Sequence, residues 1–152
     1  MVCPLNWGLG HATRCIPIIK ELQLQGAEVA IAGEGGSLEL LKKEFPKLTF
    51  IHLPGYNIYY PKNMDMAKTI ALSTPKLFYK IYREHRALNK LIRKWKFDVV
   101  ISDNRYGLWS RQAKSIFITH QLQVKSTDRL PFLEPILFKV SSYFISKYPL
   151  DL

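Results

Sequence analysis

The sequence predicts an α/β fold built on a doubly wound parallel sheet. Two observations carry this. Short, uniformly apolar segments such as Val29-Ala30-Ile31-Ala32 and Val99-Val100-Ile101 recur along the chain. Between them lie longer stretches with apolar residues at helical spacing. Strands without a polar face are buried on both sides, as in parallel sheets layered between helices.

The elements follow in order. Val2–Leu5 reads as a first strand, with Pro4 tolerated near its end. Asn6-Trp7-Gly8-Leu9-Gly10-His11 is a glycine-bearing turn. A helix follows with Ile16, Ile19 and Leu22 on one side, Pro17 expected in or near its first turn, and Gly26 at its end. Val29–Ala32 is the second strand, closed by Gly33-Glu34-Gly35-Gly36. Ser37 is placed to cap a helix running to Phe45, before Pro46. Leu48–Leu53 is the third strand, and residues 54–64 form a tyrosine-rich loop. A helical region over Asp65 to Trp95 is expected to break near Pro75. Val99–Ile101 is the fourth strand, and a short helix from Tyr106 to Ala113 leads to the fifth, Ile116–Ile118. An amphipathic stretch, Pro135 to Ser146, ends the pattern. The simplest arrangement is a Rossmann-like sheet in the order 3-2-1-4-5.

With 152 residues the chain is expected to be one domain, residues 1–152. Apolar residues at 47% and charged residues at 22% exclude a disordered tail, a collagen-like rod and a coiled coil. No apolar run approaches the ~20 residues of a membrane helix. The first ten residues lack the basic start and long apolar stretch of a signal peptide. Cys3 and Cys15 make no disulfide framework, so a reducing, cytoplasmic location is expected.

The net charge of +10 is unevenly spread. Residues 1–50 balance five basic side chains against five acidic ones. Residues 76–96 hold eight basic residues against Glu84 alone. Such a face either is simply solvated or attracts phosphates, on nucleic acid, on anionic lipid or on a nucleotide-linked substrate. No nucleic-acid motif accompanies it, so no nucleic-acid partner is expected.

In open parallel sheets, ligands bind beyond the carboxyl ends of the strands where the winding reverses. Here that point lies between the first and fourth strands. It brings Gly8, Gly10 and His11 near Asp103, Asn104 and Arg105, with His120 lining the same crevice. Each residue also has a plainer reading: glycines for a tight turn, His11 beside a helix start, Asp103 on local backbone. His52 and His85 fall away from the switch point, His85 on a solvated basic helix. No His or Cys spacing suggests a metal. The glycine turn exposes N–H groups at a helix start, which suits a phosphate or an oxyanion. It is not a Walker motif, and it half-matches the dinucleotide fingerprint, with Thr13 where a third Gly or Ala belongs. Glu34 then stands where a ribose-binding acid would, so an NAD(P)-binding oxidoreductase domain is a rival reading. Against it, His11 would crowd the pyrophosphate approach.

Asn6-Trp7-Gly8-Leu9-Gly10-His11-Ala12-Thr13-Arg14 resembles the Gly-x-Gly-His loop that opens the amino-terminal domain of GT-B glycosyltransferases, nearest to family 28. Val99-Val100-Ile101-Ser102-Asp103-Asn104 resembles that family's fourth strand and following loop. Phe117-Ile118-Thr119-His120-Gln121 resembles its strand-five ending. The resemblance implies an amino-terminal, acceptor-side Rossmann-like domain, with the carboxy-terminal nucleotide-sugar domain absent from this chain, which alone would not turn over. It implies an inverting transfer from a nucleotide-sugar donor to a hydroxyl acceptor, lipid-linked in several relatives, without cofactor or metal. His11 would be the general base and Asp103 its partner; Gly8, Leu9, Gly10, Asn104, Arg105, His120 and Gln121 would contact substrate. It also suggests that residues 76–96 hold the protein against an anionic membrane, at the inner face. A sugar-nucleotide epimerase half shares the fold and stays an alternative.

Overall fold

A computed structural model describes residues 1–55, 66–119 and 134–148 of the chain. The elements are β1 (Val2–Cys3), α1 (Gly10–Leu24), β2 (Ala30–Gly33), α2 (Gly35–Glu44), β3 (Thr49–His52), α3 (Met66–Trp95), β4 (Val99–Asp103), β5 (Lys114–Ile118) and α4 (Glu134–Ile145). The five strands form one parallel sheet in the order β3-β2-β1-β4-β5, the expected Rossmann-like winding.

Alternation along the strands splits the core in two. Val2, Ile31 and Ile101 face α1 and α2, packing on Ala12, Cys15, Ile19, Leu38 and Leu41. Cys3, Ala32 and Val100 face α3, packing on Leu88 and Ile92 with Leu53 and Leu108. A third cluster joins Leu5 and Ile81 to Phe144 of α4. Each fully buried Leu or Ile contributes roughly 1.5–3 kcal/mol.

Several expectations are corrected. Pro17 lies well inside α1, which starts at Gly10, so the helix forgoes one hydrogen bond to the Thr13 carbonyl and accommodates the ring beside it. Likewise α3 runs continuously through Pro75. Its amphipathic pattern, buried at Ile81, Leu88 and Ile92, outweighs one missing helical bond. Ser37 does not cap α2, whose cap position is Glu34. Its hydroxyl instead donates to the carbonyls of Leu5 (3.1 Å) and Gly8 (3.3 Å), tying α2 to the β1–α1 turn. No helix forms over 106–113; that stretch is a series of turns and bends. The tyrosine-rich loop lies mostly outside the described residues.

Cys3 and Cys15 are both free and buried. Burial pushes the Cys3 thiol up from 9.0 to about 11 and the Cys15 thiol to about 12. Thiol reagents at pH 8 are therefore expected to leave the folded chain unmodified and to label two cysteines once urea unfolds it. Labelling of the native chain at the rate of the unfolded one would contradict this burial. Above pH 9 the unfolded thiols lose protons that the native ones keep. The unfolded state then binds fewer protons, so these groups lower stability progressively between about pH 9 and pH 12.

Candidate functional site

The β1–α1 turn and the end of β4 meet because β1 and β4 pair directly, with Cys3 opposite Ser102. Asp103 is the next residue and closes β4, with no surface exposed to solvent. Gly8 turns the chain at φ +75°, a conformation that favours glycine. The glycine at position 10 has a different reason, because a side chain there would meet nothing within 4 Å and no left-handed backbone requires its absence. The plain reading of a tight turn therefore accounts for Gly8 and not for Gly10. What glycine leaves at position 10 is open space beside the first turn of α1, whose cap residue Leu9 makes no side-chain capping bond.

His11, in that first turn, reaches across to β4. Its Nδ1 lies 2.8 Å from Asp103 Oδ2, joining residues 92 positions apart. Arg14, one turn along the same face of α1, donates from Nη2 to Asp103 Oδ1 at 2.7 Å. The same Nη2 approaches His11 Nδ1 to 2.8 Å. Both contacts of Nδ1 cannot be hydrogen bonds at once, since one nitrogen either carries the proton or accepts one. The carboxylate decides: a lone pair facing an ionised oxygen would be repulsive, so Nδ1 carries the proton and donates to Asp103. The lone pair of the neutral ring then resides on Nε2, the tautomer that a general base needs. Arg14 occupies the second carboxylate oxygen and fixes its plane.

This grouping is compact and nearly covered. His11 is 7% exposed, whereas the preceding residues Gly8, Leu9 and Gly10 are exposed. Of the other expected contacts, Asn104 lies beside the pair in a left-handed turn (φ 57°), its N–H donating to the Ile118 carbonyl and its Oδ1 accepting from Thr119. Arg105 turns away. Its side chain is 1% exposed and donates from Nε to Glu84 Oε1 at 2.7 Å. Its Nη2 donates to the carbonyls of Leu53 and Pro54. The expectation that Arg105 offers its guanidinium to a substrate is thereby corrected: the guanidinium is committed inside the protein. His120 and Gln121 lie outside the described residues. His85 is not a solvated helix residue as expected, since its ring stacks on Trp109 at 4.0 Å. Arg14 joins the site from outside the predicted set of contacts; its spacing of three from His11 is the sequence signal that it shares that helix face.

Comparison with known proteins points one way. The sequence model of glycosyl transferase family 1 matches residues 6–141. An uncharacterized glycosyltransferase of Methanosarcina acetivorans is 30% identical over 126 residues, covering 78% of this chain and 31% of the relative. An uncharacterized glycosyltransferase of Methanosarcina mazei is 32% identical over 128 residues, covering 78% of this chain and 32% of the relative. The chain thus spans about a third of the length of the curated relatives it matches.

Proposed function

Because the chain belongs to glycosyl transferase family 1, we propose that it forms the acceptor-side half of an inverting enzyme that moves a sugar from a nucleotide-sugar donor to a hydroxyl acceptor. The observation that carries this reading is the contact between His11 and Asp103 at the carboxyl edge of the sheet. In the proposed reaction Nε2 of His11 takes the acceptor's hydroxyl proton. The freed oxygen attacks the anomeric carbon from the face opposite the leaving group. The bond from that carbon to the diphosphate oxygen breaks, its electrons leave with the nucleoside diphosphate, and configuration inverts. Asp103 holds the tautomer and stabilises the imidazolium as it forms. The open space at Gly10 lets a substrate come close to the uncapped start of α1, where backbone N–H groups favour negative charge.

A GT-B arrangement like that of family 28, with a second, nucleotide-sugar-binding domain completing the cleft, is part of this proposal. So are a lipid-linked acceptor and a resting place at the inner face of a membrane. The latter draws support from α3, where Phe78, Tyr79, Tyr82 and Trp95 are exposed among basic residues. Among the described residues no helix is long and apolar enough to cross a membrane. The nicotinamide reading is not favoured: the family is a transferase family, and Glu34 is engaged structurally, accepting from the Gly55 N–H at 2.9 Å. The test is sugar transfer by the full-length protein from a panel of nucleotide sugars, with His11→Ala measured beside it. Transfer that depends on His11 supports the proposal; transfer unaffected by its loss overturns it.

A further inference from the structure

A cavity of about 510 Å³ opens far from the imidazole and carboxylate. Its walls are the last turns of α3 and residues 109–112. Those segments lead into the starts of β4 and β5, so the cavity sits at the amino edge of the sheet, opposite the carboxyl edge that holds His11 and Asp103.

Its floor is ordered by hydrogen bonds. Ser110 Oγ donates to Asn89 Oδ1 at 2.9 Å and accepts from the Gln112 N–H at 3.1 Å. Asn89 Nδ2 donates to the His85 carbonyl at 3.0 Å, and His85 stacks on Trp109. Burial holds the His85 ring below the usual imidazole range, so it adds little charge at neutral pH.

The rim is cationic. Arg86, Lys90, Arg93 and Arg111 all line the cavity, and among the described residues no Asp or Glu does. Among the described residues none of the four is in an ion pair. Elsewhere Lys20, Lys42, Arg14 and Arg105 each have a carboxylate within 3 Å. Four uncompensated cations around one concavity repel each other and focus a positive potential into it. A multivalent anion relieves that repulsion. Guanidinium forks match the geometry of phosphate oxygens, and the Trp109 ring offers an apolar wall beside them.

We propose that this cavity binds a phosphate-bearing ligand through Arg86, Arg93 and Arg111, at a site separate from that of sugar transfer. The proposal does not depend on the transfer reaction. The phosphate belongs either to a soluble molecule or to a lipid headgroup, and the experiment separates the two. Inorganic pyrophosphate is titrated into the folded chain while the amide resonances of Asn89, Ser110 and Gln112 are followed. In parallel, the chain is sedimented with phosphatidylcholine vesicles with and without phosphatidylglycerol. Both are repeated with Arg86→Gln/Arg93→Gln/Arg111→Gln, and with Lys43→Gln/Lys47→Gln/Lys76→Gln, which removes equal charge outside the cavity.

Saturable shifts at the three amides, weakened at least tenfold by the arginine substitutions and kept by the lysine ones, support a soluble ligand. Sedimentation with phosphatidylglycerol that follows the same pattern, without the pyrophosphate shifts, supports a headgroup. Absence of both responses, or equal weakening by the two sets of substitutions, overturns the proposal.

Discussion

Replacing His11 by Ala in the full-length protein is expected to cut sugar transfer by about two to four powers of ten, the range for a lost general base. The structure supplies the reason for so large an effect. Nδ1 is held by Asp103 at 2.8 Å, which leaves on Nε2 the lone pair that the proposed mechanism uses as base. Alanine leaves Arg14 on the carboxylate and removes the imidazole that the proposed mechanism uses to take the hydroxyl proton. The fold should persist, because the Asp103–Arg14 ion pair keeps the buried carboxylate partnered. Asp103→Asn is expected to lower kcat with little change in KM, and by less than His11→Ala. Its carboxamide has one acceptor oxygen for two neighbours, and Arg14 competes with the ring for it. Initial rates over a range of acceptor concentrations check both. Near-normal kcat in His11→Ala would remove the imidazole from the mechanism.

The second large effect concerns stability. Glu84→Ala is expected to lower the free energy of unfolding by about 3–5 kcal/mol, the cost of leaving a buried charge alone. Glu84 and Arg105 each expose only 1% of their side chains. Glu84 Oε2 also accepts the Gly107 N–H at 3.0 Å. Gly107 has no room for a side chain there, since a Cβ would stand 2.5 Å from the Ile81 carbonyl oxygen and 2.6 Å from Glu84 Oε2. The arginine joins α3 to the strand ends at Leu53 and Pro54, so its charge cannot reach water without opening that edge. Burial outweighs the pull of Arg105 and raises the Glu84 carboxyl above its usual range, so desolvation is only partly offset. The double replacement Glu84→Leu/Arg105→Met should for that reason recover much of what Glu84→Ala loses. Urea unfolding of the three proteins checks this. A loss below about 1 kcal/mol for Glu84→Ala, the scale of an exposed pair, would contradict it.

The fold was legible because its signals are local and consistent. Short apolar strands such as Val99–Ile101, separated by helical periodicity, leave few arrangements other than the one observed. The pairing of β1 with β4 then brings His11 to Asp103 by topology. What sequence left hidden depends on tertiary context. Nothing local says that Arg105 turns inward to Glu84 rather than outward to a ligand. The signal that existed was Glu84 itself, the lone acid among eight bases over residues 76–96. Pro75 carries a local break signal that the packing of α3 overrides. Ser37 carries a capping signal, yet its hydroxyl finds two carbonyls in a turn some thirty residues earlier. The region 106–113 has helix-compatible residues, but Gly107 and the Ser110–Ser115 bond (2.9 Å) hold it in turns.

Proton transfer by His11 requires that the neutral ring carry its proton on Nδ1. Long-range proton–nitrogen correlation spectra of the folded chain report the tautomer of each histidine directly. For the neutral ring of His11, a protonated Nδ1 and a proton-free Nε2 are expected, with the pattern lost in Asp103→Ala. A proton on Nε2, or a His11 signal that Asp103→Ala leaves unchanged, would contradict the assignment of this imidazole as the base.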